Sequence, residues 1–176
     1  MRTLSRRKVL AQWPLMPTAD WSPTTEELEY SFPSVARNWV LWLEAKSVRG
    51  CLRELAKEIE VTADRFGSAT MIFMGAETWP WRGQSNNTYP PVVRALSYLE
   101  ENGVGPRFSG GLSVPRHELA KFVPHLGWLT RCNAGLPYVY FTDESHQFIA
   151  HVCKQCNLHL EALTPSAEAI IEGSDT

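Results

Sequence analysis

Trp39-Val40-Leu41-Trp42-Leu43 leads through Ser47 into Val48, Cys51, Leu52, Leu55 and Ile59, and Gly67 precedes a second apolar run, Thr70-Met71-Ile72-Phe73-Met74. The first run is apolar on both alternating faces, which predicts a central strand buried on both sides, with a helix as the competing reading. Ser47 supplies an N-cap oxygen, and the apolar positions after it recur at spacings of three and four, one face of a helix with Cys51 on its core side. Gly67 is a suitable stop. The second run reads as another buried strand, so the stretch predicts a strand–helix–strand unit at the centre of an α+β domain.

Downstream, 75–90 has neither helical nor strand period and reads as a long polar and aromatic loop. Pro90-Pro91 opens a helix with Val92, Leu96 and Leu99 on its stripe, and Glu100-Glu101-Asn102-Gly103 stops it. An irregular strand follows at 107–114, bent by Gly110-Gly111, and then a helix from Pro115 that Pro124 is expected to break. The last third reads as β structure: a hairpin of 138–141 and 148–152 turning at Thr142-Asp143-Glu144-Ser145, then a strand at Leu158-His159-Leu160-Glu161. These elements fill 34–163 as one domain. Residues 164–176 are expected to be a flexible tail, and 1–33, with Pro14, Pro17, Pro23 and Pro33, an extended arm tethered by Trp13, Trp21, Tyr30 and Phe32.

The chain has 176 residues, of which 44% are apolar and 20% charged, enough to bury a core without a staple. Seven Trp exceed what such a core needs, which suggests that some rings face a partner. The net charge of −2 gives no broad cationic field, so nucleic acid is not an expected partner. Ser5-Arg6-Arg7-Lys8-Val9-Leu10 has the opening of a twin-arginine export signal, but Pro14 and Pro17 break the apolar stretch that such a signal needs. No run reaches the length of a membrane helix. The expectation is a cytoplasmic protein whose four Cys form no disulfide framework.

Three groups of residues could carry chemistry. In His151-x-Cys153-x-x-Cys156-x-x-His159 the thiolates and imidazoles suit zinc, and Cys132, Cys153, Cys156 and His159 are the candidate ligands. Alternation puts His151 and Cys153 on one face, and His159 could approach across the turn. Against zinc, a ribbon would carry a second Cys-x-x-Cys; the alternative is that the thiols are small core residues and the histidines bond locally. His159-Leu160-Glu161 follows the Cys-x-x-Cys where a nucleobase deaminase would have it precede, which removes that reading. Cys132-Asn133 with His151 or His159 contains the residue types of a thiol nucleophile and its base, without a family-specific surround. Phosphate-loop, dinucleotide-fold, nucleophile-elbow and zinc-protease motifs are missing, so no other cofactor is expected.

The third group is Glu77, Trp79, Trp81 and Arg82 on the long loop, with Asp143 and Glu144 on the hairpin tip, residue types that make anchors and charged rims for a protein partner. The alternative is that the two Trp fold back onto the core. The leading expectation is a small protein-binding domain of the antitoxin or toxin-immunity kind. A zinc-stabilised module or a Cys/His-dependent enzyme stands as the alternative.

Overall fold

The computed structural model describes every residue except 36, 133–138, 154 and 174–176, with no side-chain description for 19–21 and 28. In chain order the elements are β1 (Arg2–Leu4), α1 (Arg6–Gln12), β2 (Thr18–Ser22), β3 (Glu27–Ser31), β4 (Arg37–Leu41), α2 (Val48–Arg65) and β5 (Thr70–Met74). They continue as α3 (Pro90–Glu101), β6 (Gly111–Pro115), α4 (Leu119–Cys132), β7 (Tyr140–Asp143), β8 (Phe148–Val152), β9 (Leu158–Ala162) and α5 (Pro165–Glu172). Seven of the strands form one antiparallel sheet in the order β1-β6-β5-β7-β8-β9-β4, while β2 and β3 pair as a separate hairpin. The chain is a mixed α+β domain, as expected.

Alternation along the strands sorts the core. Met71, Phe73, Leu112, Val114, Phe141, Phe148, Leu158 and Leu160 join Leu52, Leu55, Ile59, Phe122 and Leu126 of the helices in one buried cluster. Within the helical layer α4 packs against both α2 and α3. Helix α2 forms where its face predicts: the Ser47 hydroxyl accepts from the Gly50 N–H at 3.1 Å, and Cys51, Leu52, Leu55 and Ile59 are buried. Helix α3 begins at Pro90 as expected.

Four expectations are corrected. The run at 39–43 is not a central strand: β4 lies at the sheet's edge, paired only to β9, and three strands separate it from β5. Trp39 and Leu41 pack on the core while Val40 faces outward, so its apolar run is buried on one side only. Pro124 does not break α4, which runs through it. The carbonyl that Pro124 leaves without an N–H belongs to Ala120, an exposed residue one turn back. The stretch 164–176 is not wholly a tail, because α5 occupies 165–172, capped by Thr164 and burying Ala167 and Ile171.

The fourth correction concerns 1–33, which folds instead of lying extended. Strand β1 joins the main sheet beside β6, and α1 follows it across the sheet's second face. There Leu4, Val9, Trp13 and Met16 bury Ile72, Met74, Tyr140 and Ile149, and the Trp13 indole donates to the Glu144 carbonyl at 3.2 Å. Gly110 and Gly111 permit this close approach. A Cβ at Gly110 would sit 2.3 Å from the Leu4 carbonyl oxygen, and one at Gly111 2.5 Å from a Val9 methyl. Tethering by the Trp21 ring lies outside the described side chains. No described helix is long and apolar enough to cross a membrane.

Candidate functional site

The arm covers only part of the second face. Over β8, β9 and β4 the outward positions are His151, His159, Glu161 and Val40, set by alternation with the core residues Ala150, Val152, Leu158, Leu160 and Ala162. The register aligns Tyr140 with His151, His151 with His159, and His159 with Val40, so one row of side chains runs across four strands. Within that row the two imidazoles stack with centroids 4.3 Å apart and planes 10° apart, and Tyr140 tilts against His151 at 5.2 Å.

The hairpin β2–β3 brings two more rings. Phe32 meets Tyr140 edge-on at 5.7 Å and stacks with Tyr30 at 6.0 Å. Tyr30, Phe32, Tyr140, His151 and Glu161 together line an open cavity of about 510 Å³. Such a volume suits a small ligand or a side chain of a partner. Burial, with His159 beside it, pulls the His151 imidazole down to about 4, and burial lowers His159 as well. Both rings are therefore neutral at physiological pH. Glu161 is shifted the other way, its carboxyl raised by desolvation. Among the described residues the lining thus presents π-faces, neutral imidazole and one carboxylate, with no thiol, Lys or Arg.

The residues expected to meet a partner are placed differently. Trp81 is a core residue at 1% exposure, its indole donating to the Gly110 carbonyl at 2.8 Å, so the fold-back alternative describes it. Asp143 is fully buried and accepts from the Gln147 N–H at 2.9 Å and the Ser68 hydroxyl at 3.3 Å. Glu144 is exposed, but its two oxygens accept from the N–H groups of Ala69 and Thr70 at 2.7 and 2.8 Å, tying the hairpin to the start of β5. Arg82 pairs with Glu100 at 2.8 Å and donates to the Val104 carbonyl at 3.1 Å. Both charges line a smaller cavity of about 200 Å³, and there they are already paired with each other. Glu77 lies 3.7 Å from Arg6 of α1, and Trp79 remains as the loop's exposed ring at 44%.

Nor are the zinc candidates gathered. Cys132 ends α4, where its carbonyl accepts from Gln84 at 3.1 Å. The Cys156 N–H donates to the Cys153 carbonyl at 2.9 Å within a tight turn. The Cys156 thiol points into the core beside Cys51; burial first, and then that neighbour, push it up to about 11. His159 belongs to the opposite, outward face. Among the described residues no group of three His, Cys, Asp or Glu side chains is placed to hold a metal ion. The same placement separates the buried Cys156 thiol from both histidines, and Asn133 lies outside the described residues.

The sequence signal that could have found this site is the strand alternation of 148–152 and 158–162, which puts His151, His159 and Glu161 on one face. Nothing local to Tyr30 or Phe32 reveals that the hairpin reaches them. Comparison with known proteins leaves the geometry to stand alone: no protein-family model matches the chain, and no curated protein or solved structure matches it.

Proposed function

We propose that the chain is a small cytoplasmic protein-binding domain, of the kind that neutralises a toxin or similar partner by covering it, and that it binds through the open half of its sheet. The observation that supports this is the exposure of large apolar side chains along the open half of the sheet. Val40 is 37% exposed on the edge strand, Trp42 just beyond it 76%, and Phe32 at the cavity rim 53%. Exposed apolar side chains beside a strand edge that no described strand covers are what a protein interface uses as its centre. Trp79, by contrast, stands on a loop whose charges are already paired.

The test is affinity capture from the native host with the tagged full-length chain and two variants. Val40→Ser with Trp42→Ala should lose a partner that the wild type retains, whereas Trp79→Ala with Val61→Ala should retain it. All four side chains are exposed, so folding is not at stake. Equal capture by both variants would remove the open half as the binding surface.

A further inference from the structure

We propose that the cavity on the open half of the sheet is a site for an organic cation, an ammonium or guanidinium group seated among the rings of Tyr30, Phe32 and Tyr140 with Glu161 as its counter-charge. This deepens, and rests on, the reading of the open half as a binding surface.

The walls carry the argument. Phe32 and Tyr140 stand at 72° to each other with centroids 5.7 Å apart, so a face and an edge meet at a corner, and Tyr30 extends the Phe32 wall. Aromatic faces carry negative potential and attract cations lying within about 6 Å of the ring centroid. Glu161 lines the same cavity. Its neighbours across the strands are Asn38 and Ile149, and His159 lies two positions earlier on the same face, so the register places no Lys or Arg beside it. Among the described residues it has neither ion pair nor hydrogen bond. The histidine pair, neutral by burial, adds ring surface and no competing charge.

Other ligand classes fit less well. An anion would meet a carboxylate and, among the described residues, no Lys or Arg. A neutral apolar ligand would strip water from Glu161 and return nothing, a cost that rises with enclosure. A cation satisfies the carboxylate and the rings together. Such a group has two sources, an Arg or Lys side chain of a protein partner or a free small ammonium compound.

Titration of the full-length chain by NMR and calorimetry distinguishes them. The probes are arginine amide, acetylated on its α-amino group so that the guanidinium is its only charge, and choline, each against a neutral counterpart of the same shape: citrulline amide acetylated in the same way, and the alcohol in which carbon replaces the choline nitrogen. Both cations should shift resonances of Phe32, Tyr140 and Glu161, and each neutral counterpart should bind about tenfold more weakly or worse. Tighter binding of arginine amide assigns the site to a partner's side chain; tighter binding of choline assigns it to a free ammonium ligand. Glu161→Gln should weaken either cation by about tenfold, and so should Phe32→Leu, an exposed position whose replacement leaves the fold intact. Neutral counterparts that bind as tightly as the cations would overturn the proposal, as would shifts confined to other surfaces or an unchanged affinity in Glu161→Gln. Any of these would leave the capture experiment unaffected, because Val40 and Trp42 lie outside the cavity lining.

Discussion

The two halves of the sheet's second face are built from the same alternating strands and end differently. Over β5 the outward positions are Ile72 and Met74, joined by Tyr140 of β7 and Ile149 of β8, and α1 lies on them; over the far end of β8, over β9 and over β4 they are His151, His159, Glu161 and Val40, of which His151 and Glu161 line the cavity. The covered half behaves as a second core. The other half keeps a carboxylate and two imidazoles out of full contact with water without enclosing them, which has a cost in stability. The difference is one of chemistry: the fold buries apolar side chains on one half and holds titratable groups on the other.

The largest effect expected from this contrast is at Trp13. Its ring is buried against Ile72 and Met74, so Trp13→Ala should cost about 3–5 kcal/mol in urea unfolding. Trp42→Ala, at a position 76% exposed, should stay within about 0.5 kcal/mol of wild type. Comparable small losses at both positions would mean that α1 is not part of the core, and the two halves would no longer differ.

Next comes the pH dependence that His151 imposes. Its imidazole is held at about 4 in the folded chain, against an ordinary value of 6.5 when unfolded. Between those values the unfolded chain binds the proton and the folded chain does not, so stability falls as the pH drops from about 6.5 to about 4 and the loss stops growing below that. Integration over that window gives at most about 3.5 kcal/mol, since each unit is worth about 1.4 kcal/mol. His159 is displaced in the same direction and adds to the loss. The difference between wild type and His151→Gln, followed by urea unfolding at several pH values, isolates the contribution from that of the carboxylates. Parallel curves for the two proteins would show that the ring is open to water and that this half of the face is not desolvated.

Some of this was legible in the sequence and some was not. Helices α2 and α3 could be read because local chemistry agrees with tertiary packing: Ser47 caps, Pro90-Pro91 opens, and the apolar stripes match the buried faces. The edge position of β4 could not. Trp39, Val40 and Leu41 are apolar whether a sheet covers both faces or one, and only the sheet order decides. Residues 1–33 looked extended because four prolines interrupt every period; yet Gly110-Gly111, read as a bend, is the imprint of β1 and α1 lying against β6. At the site, the approach of His159 to His151 across the turn was legible. Reading the run for metal ligands drew attention to Cys153 and Cys156, and the turn sends the Cys156 thiol into the core. Trp81 and Asp143 have the composition of a binding surface and the burial of a core, a distinction that residue type cannot carry.

The smallest effect, and the one of opposite sign, belongs to Glu161. Desolvation raises its carboxyl, so folding disfavours the ionised form. At neutral pH the group is charged in both states, and the folded chain bears the whole penalty. As the pH falls through the raised folded value, the folded carboxyl takes its proton first and the penalty disappears. Glu161→Gln, which keeps the shape and removes the charge, should therefore stabilise the protein at pH 7 and have no effect in acid. The gain should be on the order of a few tenths of a kcal/mol, because the side chain is only half-buried and solvent screens most of the penalty. Paired urea titrations at neutral and acid pH read both limits. A loss of more than about 1 kcal/mol at pH 7 would show that the carboxylate holds the fold together through a partner of its own. A small gain in stability, coupled to loss of cation binding in the same variant, is what a group kept for a ligand instead of for the fold should give.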